Sequence, residues 1–267
     1  MKLSEIALQV PQILLPNADV DLTRWAVIAC DQYTSEPDYW DEVDHLVGDR
    51  PSTLRLIFPE VHLEEGEAET AARIAAINRN MDNYLAEGTL RRLEPGFILV
   101  DRKTSHAPSR KGLVVAMDLE EYDYRPGAAT LIRATEGTIV ERLPPRIRVR
   151  QQASIELPHI MVLIDDPDCT VIEPLFGLDL KPLYDFELMQ NGGHLRGWHV
   201  ADPVHLARIA ASLSRLADPA RFCERYQVDD EHIMLYAMGD GNHSFATAKA
   251  IWENLKAEAE DPAALMD

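Results

Sequence analysis

The sequence predicts a mixed α/β fold in which helices are interspersed between the strands of mixed sheets, and three observations predict it. Apolar runs of strand length alternate with stretches of helical periodicity along the chain. The 267 residues are 46% apolar, which is enough to fill a sizeable core. A strand, a glycine-containing turn and a helix follow one another near the C-terminus. We expect one compact domain over residues 1–267, with two closely packed lobes at about 1–125 and 126–267 as the alternative.

Composition and charge exclude several classes of function. The formal net charge of −19 repels a nucleic-acid backbone, so we expect no nucleic-acid partner. The chain has neither a run of about 18 apolar residues nor a secretory signal pattern, which predicts a soluble cytoplasmic protein without a membrane partner. Cys30, Cys169 and Cys223 lie far apart and match no zinc spacing, so they are interpreted as buried structural thiols and no metal site is assigned. The sequence leaves homo-oligomer formation open.

The first half of the chain is predicted to contain two helices and four strands. The first helix, at about 36–47, has Ser35 as its N-cap and Pro37 in its first turn. The second helix, from 64 to about 90, carries an apolar stripe and ends near Gly88. The strands are the apolar runs 25–30, 53–58, 96–101 and 112–117, of which the last two are expected to be neighbours.

The second half is predicted to begin with a buried strand at 156–165. A hairpin follows, in which strands at 183–188 and 194–200 flank Asn191-Gly192-Gly193. Asp-Pro pairs then start helices at about 202–217 and 219–226, because aspartate caps a helix and proline suits its first position.

Polar residues at both ends of strand 156–165 allow more than one interpretation. Asp165 and Asp166 have the oxygen ligands that Mg²⁺ prefers, but an Asp-Asp-Pro sequence is also common in turns, and we favour the turn. His159 precedes the apolar run and is predicted to be a partly buried, hydrogen-bonded histidine rather than a ligand.

The most informative stretch is the turn near the C-terminus. An apolar strand at 233–238 leads into Gly239-Asp240-Gly241, and a helix is predicted from His243 to about 259. Glycines let a ligand approach the backbone, and free N–H groups at a helix start favour an anion. Asp240 and His243 are the candidate catalytic groups. The alternative is that Asn242 or Ser244 is only an N-cap.

A second dense stretch is rich in arginine. Five arginines lie within eighteen residues of an otherwise acidic chain: Arg133, Arg142, Arg146, Arg148 and Arg150. Guanidinium groups bind phosphate and carboxylate with paired hydrogen bonds. The cluster therefore indicates an anionic partner, which is a phosphate, a carboxylate or the acidic groups of the protein itself.

Three of these stretches resemble one family, the "domain of unknown function 1015" family. They are Gly-Asp-Gly-Asn-His-Ser at 239–244 with Ala-Thr-Ala-Lys at 246–249, the Asp31 corner at 29–37, and the arginine-rich segment at 131–146. The turn is also similar to the Gly-x-x-Arg helix start with which the ParB, sulfiredoxin and free-serine-kinase superfamily grips nucleotide phosphates. Family members usually continue past the last helix, so the chain is expected to lack a C-terminal part.

The resemblance implies a set of ligand-binding residues. They are Gly239, Gly241, Asn242, Ser244, Arg133, Glu136, Arg142 and Asp31. Ser244 stands where the wider pattern has arginine, and we expect Arg133 and Arg142 to replace that charge.

The predicted function is binding of a nucleotide or another phosphorylated small molecule, with phosphotransferase activity and Mg²⁺ accompanying the nucleotide. Asp240 would act as a metal ligand or as the base for a substrate hydroxyl. The alternative is a non-catalytic binding module, or a structural module in which the phosphate motif has degenerated.

Overall fold

The structure is a computed structural model that describes residues 3–229 and 232–265. Helices and strands alternate along these residues, which confirms the mixed α/β class. The helices are α1 (Leu22–Trp25), α2 (Pro37–Val47), α3 (Glu67–Ala86), α4 (Leu143–Arg150), α5 (Pro203–Leu216), α6 (Pro219–Tyr226) and α7 (Asn242–Glu258). The strands are β1 (Leu8–Gln9), β2 (Leu14–Pro16), β3 (Leu90–Arg92), β4 (Phe97–Lys103), β5 (Arg110–Val114), β6 (Ala116–Met117), β7 (Tyr122–Asp123), β8 (Ile132–Arg133), β9 (Met161–Ile164), β10 (Pro182–Leu188), β11 (Gly193–Val200) and β12 (Tyr236–Asp240).

The described strands form two four-stranded sheets and two small pairs. The first sheet has the order β10-β11-β4-β5 and is antiparallel throughout. The second has the order β7-β8-β12-β9, in which β12 runs parallel to β8 and antiparallel to β9. β1 pairs with β6 and β2 with β3, both antiparallel. The second sheet places the end of β12 beside β8 and β9, which positions the candidate site.

Both four-stranded sheets pack against one shared core. Phe97 and Val200 of the first sheet belong to the same buried cluster as Ile132 and Met238 of the second, and Phe245 joins them from α7. Smaller clusters form around α3 and around α2. The start of α7 is therefore anchored in the main core, because Phe245 is buried one residue after Ser244.

Several predicted elements are confirmed where the sequence carried a local cap or turn. Asp202 and Asp218 accept hydrogen bonds from the N–H groups of Val204 and Ala220, and so cap α5 and α6. The hairpin of β10 and β11 and the helix α2 lie close to their predicted positions. β4 and β5 are antiparallel neighbours, as expected. The predicted long helix forms as α3, which is shorter at both ends.

Two predicted strands are wrong. Residues 25–30 contain the end of α1 followed by irregular chain, and residues 53–58 start with the 3-10 turn Thr53–Arg55. Ser52 Oγ accepts from the N–H of Leu54, while the Ser52 and Thr53 hydroxyls donate to the carbonyl of Trp25. These side-chain oxygens bond to main-chain N–H and carbonyl groups that would otherwise form hydrogen bonds between strands. Serine and threonine compete with sheet formation in this way.

Two smaller predictions also need correction. The N-cap of α2 is Glu36 rather than Ser35, and it makes no side-chain capping bond. The strand predicted at 156–165 is limited to β9, four residues long. Among the described residues, no helix has both the length and the apolar character needed to cross a membrane.

Candidate functional site

The candidate site is the turn that joins β12 to α7. Gly241 is the N-cap of α7 and has a φ of +84°, a left-handed conformation that favours glycine. A Cβ at this position would lie 3.3 Å from Cα of Ile160, so a side chain here would also press on the neighbouring chain. The strand is displaced from its predicted position, since Gly239 and Asp240 belong to β12 and the pairing with β9 is irregular between Met238 and Asp240.

Asn242 holds the loop after β8 against the turn. Its amide side chain is buried, and its Oδ1 accepts a hydrogen bond of 3.3 Å from the N–H of Thr135. The Thr135 hydroxyl donates to the carbonyl of Met238 at 2.6 Å. Asn242 makes no capping bond to its own helix. Its role is therefore to connect α7 to the 134–139 loop rather than to cap the helix.

His243 contacts the same loop from the other side. Its Nε2 lies 3.2 Å from the main-chain N of Ile139 and accepts a hydrogen bond from that group. An accepting Nε2 carries no proton, so the neutral ring has its proton on Nδ1. That Nδ1 lies 3.9 Å from Oε1 of Glu136. The predicted site residues His243 and Glu136 are thus neighbours, and the imidazole is already engaged by the loop.

Ser244, in the first turn of α7, is contacted by two side chains from other segments. Arg150, the last residue of α4, donates from Nη1 to the carbonyl of Ser244 at 2.7 Å and to its hydroxyl at 3.3 Å. The other side of the Arg150 guanidinium bonds to Glu156. His159 lies with Nε2 against the Ser244 hydroxyl and with Nδ1 3.0 Å from the carbonyl of Leu157.

The remaining arginines of the cluster have partners within the protein. Arg146 pairs with Glu60 and Arg148 with Glu67. Acidic groups of the protein itself were one of the three kinds of anionic partner that the sequence left open. Arg133 donates to the main-chain carbonyls of Thr130, His232 and Ile233. Arg142 is exposed in a 3-10 turn. Anion binding by Arg133 and Arg142 stays a prediction, but the guanidinium bonded to Ser244 is that of Arg150.

The acidic candidates have different surroundings. Asp240 is exposed, and its Oδ1 accepts a hydrogen bond of 2.8 Å from the N–H of Gly241. Asp166 accepts from the N–H groups of Thr170 and Val171 and from the Thr170 hydroxyl, so it has the favoured turn role. Within residues 3–229 and 232–265, no group of three or more histidine, cysteine, aspartate or glutamate side chains is arranged to hold a metal ion.

The Asp31 corner lies within electrostatic reach of Arg150. Burial, together with the charges of Asp31 and Glu60, raises the pKa of the Cys30 thiol to about 12, and the charge of Arg150 opposes this rise. The carbonyl of Cys30 accepts from the N–H of Glu60 at 2.8 Å, which fixes this corner beside the α4 side of the site.

Two site contacts could not be found in the sequence. Arg150 was recognised only as one of five clustered arginines, and His159 only as a hydrogen-bonded histidine. Arg150 and His159 lie 94 and 85 residues before Ser244, and no local sequence pattern relates residues that are so far apart. Only the packing of α4 and the chain before β9 against α7 brings them to this hydroxyl.

The comparisons with known proteins give a family and no activity. The model of the family described as "Protein of unknown function (DUF1015)" matches residues 12–266. No curated protein and no solved structure matches the chain.

Proposed function

The chain belongs to this family of unknown function, and we propose its function from the geometry of the turn. The protein binds a nucleotide or another phosphorylated small molecule between β12 and α7 and transfers a phosphoryl group. The observation that carries the proposal is the pair of hydrogen bonds from Arg150 to Ser244. They bring a guanidinium to the first turn of a 17-residue helix.

The attraction for a phosphate has three sources at this point. The first N–H groups of α7 have no partner within the helix, and the helix dipole favours negative charge at this end. The left-handed turn at Gly241 starts the helix directly after β12, which places those N–H groups at the end of the strand. Arg150 adds a permanent positive charge of the kind that suits phosphate, which its ion pair with Glu156 partly balances. Together they offset the repulsion expected from a chain of net charge −19.

Asp240 supplies the second group that phosphoryl transfer needs. It is an exposed carboxylate at the end of β12, next to the residue that starts the helix. In the proposed reaction it accepts the proton of the attacking hydroxyl or holds the Mg²⁺ that accompanies a nucleotide. Asp240→Asn is expected to keep ligand affinity and to abolish turnover.

The second candidate is a non-catalytic module in which the motif has a structural role. The hydrogen bonds from Thr135 to Asn242 and from Arg150 to Ser244 favour it, since they join three distant segments of the protein to one another. On this alternative, substitutions at the turn lower stability but no phosphorylated compound binds.

The test is a thermal-shift panel of ATP, ADP, phosphoserine and pyrophosphate with and without Mg²⁺. A ligand at 100 times its dissociation constant adds about 2.7 kcal/mol, which for a chain of this size raises the melting temperature by about 5–10 °C. Wild type, Asp240→Ala and Arg150→Met are compared with the control Arg148→Met, which removes the same charge from an exposed position on the same helix.

The proposal expects a shift in the wild type and in Arg148→Met that is lost in Arg150→Met. An equal shift in both arginine variants would place the ligand elsewhere. No shift for any compound in the folded wild type would leave the structural module as the function of the turn.

A further inference from the structure

We propose that Ser244 is a nucleophile toward phosphorus, with His159 as its general base. The inference rests on the proposed function for its natural substrate, because a phosphoserine at position 244 would then be an intermediate of the transfer. The serine–histidine pair itself stands on geometry, because Ser244 belongs to the predicted motif but His159, which faces its hydroxyl, does not.

The hydrogen bonds around His159 determine which ring nitrogen carries the proton. Nδ1 lies 3.0 Å from the carbonyl of Leu157, and a carbonyl can only accept, so Nδ1 donates. In the neutral ring Nε2 is then an acceptor, and it faces the hydroxyl of Ser244. The hydroxyl therefore donates its proton toward Nε2. A base within hydrogen-bond distance, itself oriented by a third group, is the arrangement that activates a serine.

Arg150 completes the surroundings of the serine oxygen. Its Nη1 lies 3.3 Å from Oγ, so Oγ accepts one hydrogen bond from Arg150 while it donates another to His159. The guanidinium is well placed to stabilise negative charge that develops on the attacking oxygen and on the transferred group. A phosphoserine here would lie in the first turn of α7 beside an arginine, a position that favours its charge.

The proposed phosphoryl transfer has two steps, and groups at this site take up and return the protons. Oγ of Ser244 attacks the terminal phosphorus of a nucleoside polyphosphate, the Oγ–P bond forms, and the P–O bond to the leaving nucleotide breaks. Nε2 of His159 takes the hydroxyl proton. In the second step an acceptor hydroxyl attacks the phosphoserine, the Oγ–P bond breaks, and His159 returns its proton to Oγ. The carboxylate of Asp240, the base of the proposed function, takes the acceptor's proton.

Two other serines of the described residues, Ser109 and Ser154, bond to carboxylates instead. Ser109 donates to a carboxylate oxygen of Asp101 at 2.6 Å, and Ser154 bonds to Asp82. Asp101 is itself in an ion pair with Arg196, so this carboxylate is a weaker base than a neutral imidazole and gives no comparable activation. Ser109 is therefore the matched control for reactivity, because it also donates its hydroxyl proton to a side chain.

The experiment treats the full chain with a fluorophosphonate probe, which forms a bond from phosphorus to a serine oxygen and releases fluoride. Peptide mass spectrometry identifies the labelled residue. We expect labelling at Ser244 and not at Ser109, and we expect native protein to react faster than protein unfolded in urea. Since general-base catalysis contributes about 100-fold or more, His159→Gln should lower the rate by about that factor.

Chemical rescue separates the base from a structural contact. Imidazole added to His159→Gly should restore labelling at Ser244, which a loss of packing would not allow. Equal labelling of Ser244 in native and unfolded wild type would overturn the proposal, and this comparison needs no variant to fold. The probe also needs no nucleotide, so labelling at Ser244 without a thermal shift by any compound of the panel would retain the dyad and overturn the proposed function.

Discussion

The side chain of Asn242 and the main chain of Thr135, 107 residues apart, are joined by a hydrogen bond of 3.3 Å. The Thr135 hydroxyl extends this contact to the carbonyl of Met238 at the end of β12. The shape of the candidate site therefore depends on the loop after β8 as much as on the turn, because the buried amide has its partner on that loop.

Asn242→Ala should destabilise the protein by about 1–3 kcal/mol, since it leaves the N–H of Thr135 without its acceptor. Urea denaturation followed by circular dichroism measures the change. The control Gln152→Ala replaces an exposed residue and should stay within about 0.5 kcal/mol of wild type. Equal midpoints for the two variants would show that the amide contact does not hold the loop.

Gly241→Ala should lower stability by about 1–2 kcal/mol or more, because a side chain disfavours the left-handed φ of +84° and its Cβ would press on Ile160. Gly137→Ala is the control, since a Cβ there meets nothing within 4 Å. Melting temperatures of the two variants check this. A Gly241→Ala protein as stable as Gly137→Ala would mean that the turn takes another conformation.

Glu120 should make the stability depend on acid pH. Hydrogen bonds from Lys256 and Trp252 hold the pKa of this carboxyl below its ordinary value of 4.5. The folded state thus binds the proton more weakly than the unfolded state, so the contribution is fully present above pH 4.5 and is lost as the pH falls through the lowered pKa.

The measurement for Glu120 is the melting temperature of wild type and Glu120→Gln across the acid range. The variant should melt below wild type at neutral pH, and the difference should shrink as the solution becomes more acidic. A difference that stays constant with pH would rule out the ionised carboxylate as its source.

Cys30 should react with iodoacetamide more slowly than Cys169 at about pH 8, because the thiolate is the reactive form. Burial raises the pKa of Cys30 to about 12. Cys169 is exposed, and its pKa is raised chiefly by the neighbouring charge of Glu173. Peptide mass spectrometry at successive times gives the two rates. Faster modification of Cys30 would contradict the buried corner beside Arg150.

The elements that could be predicted are those whose ends are set by residues close to them in the sequence. Asp202-Pro203 and Asp218-Pro219 start α5 and α6 because the carboxylate and the fixed φ of proline act within one turn. The strands predicted at 25–30 and 53–58 failed for the opposite reason. The hydroxyls of Ser52 and Thr53 bond to a carbonyl 27 and 28 residues earlier, and that contact is invisible in a local pattern.

The sequence by itself determined the strand, the glycine turn and the helix at 236–258, because glycine preference and apolar periodicity act between near neighbours. It also indicated anionic partners for the arginines, which Arg146, Arg148 and Arg150 have within the protein. Only the tertiary structure decided which arginine reaches Ser244 and that His159 faces its hydroxyl. These contacts span 94 and 85 residues, and the packing of distant segments sets them rather than any spacing in the chain.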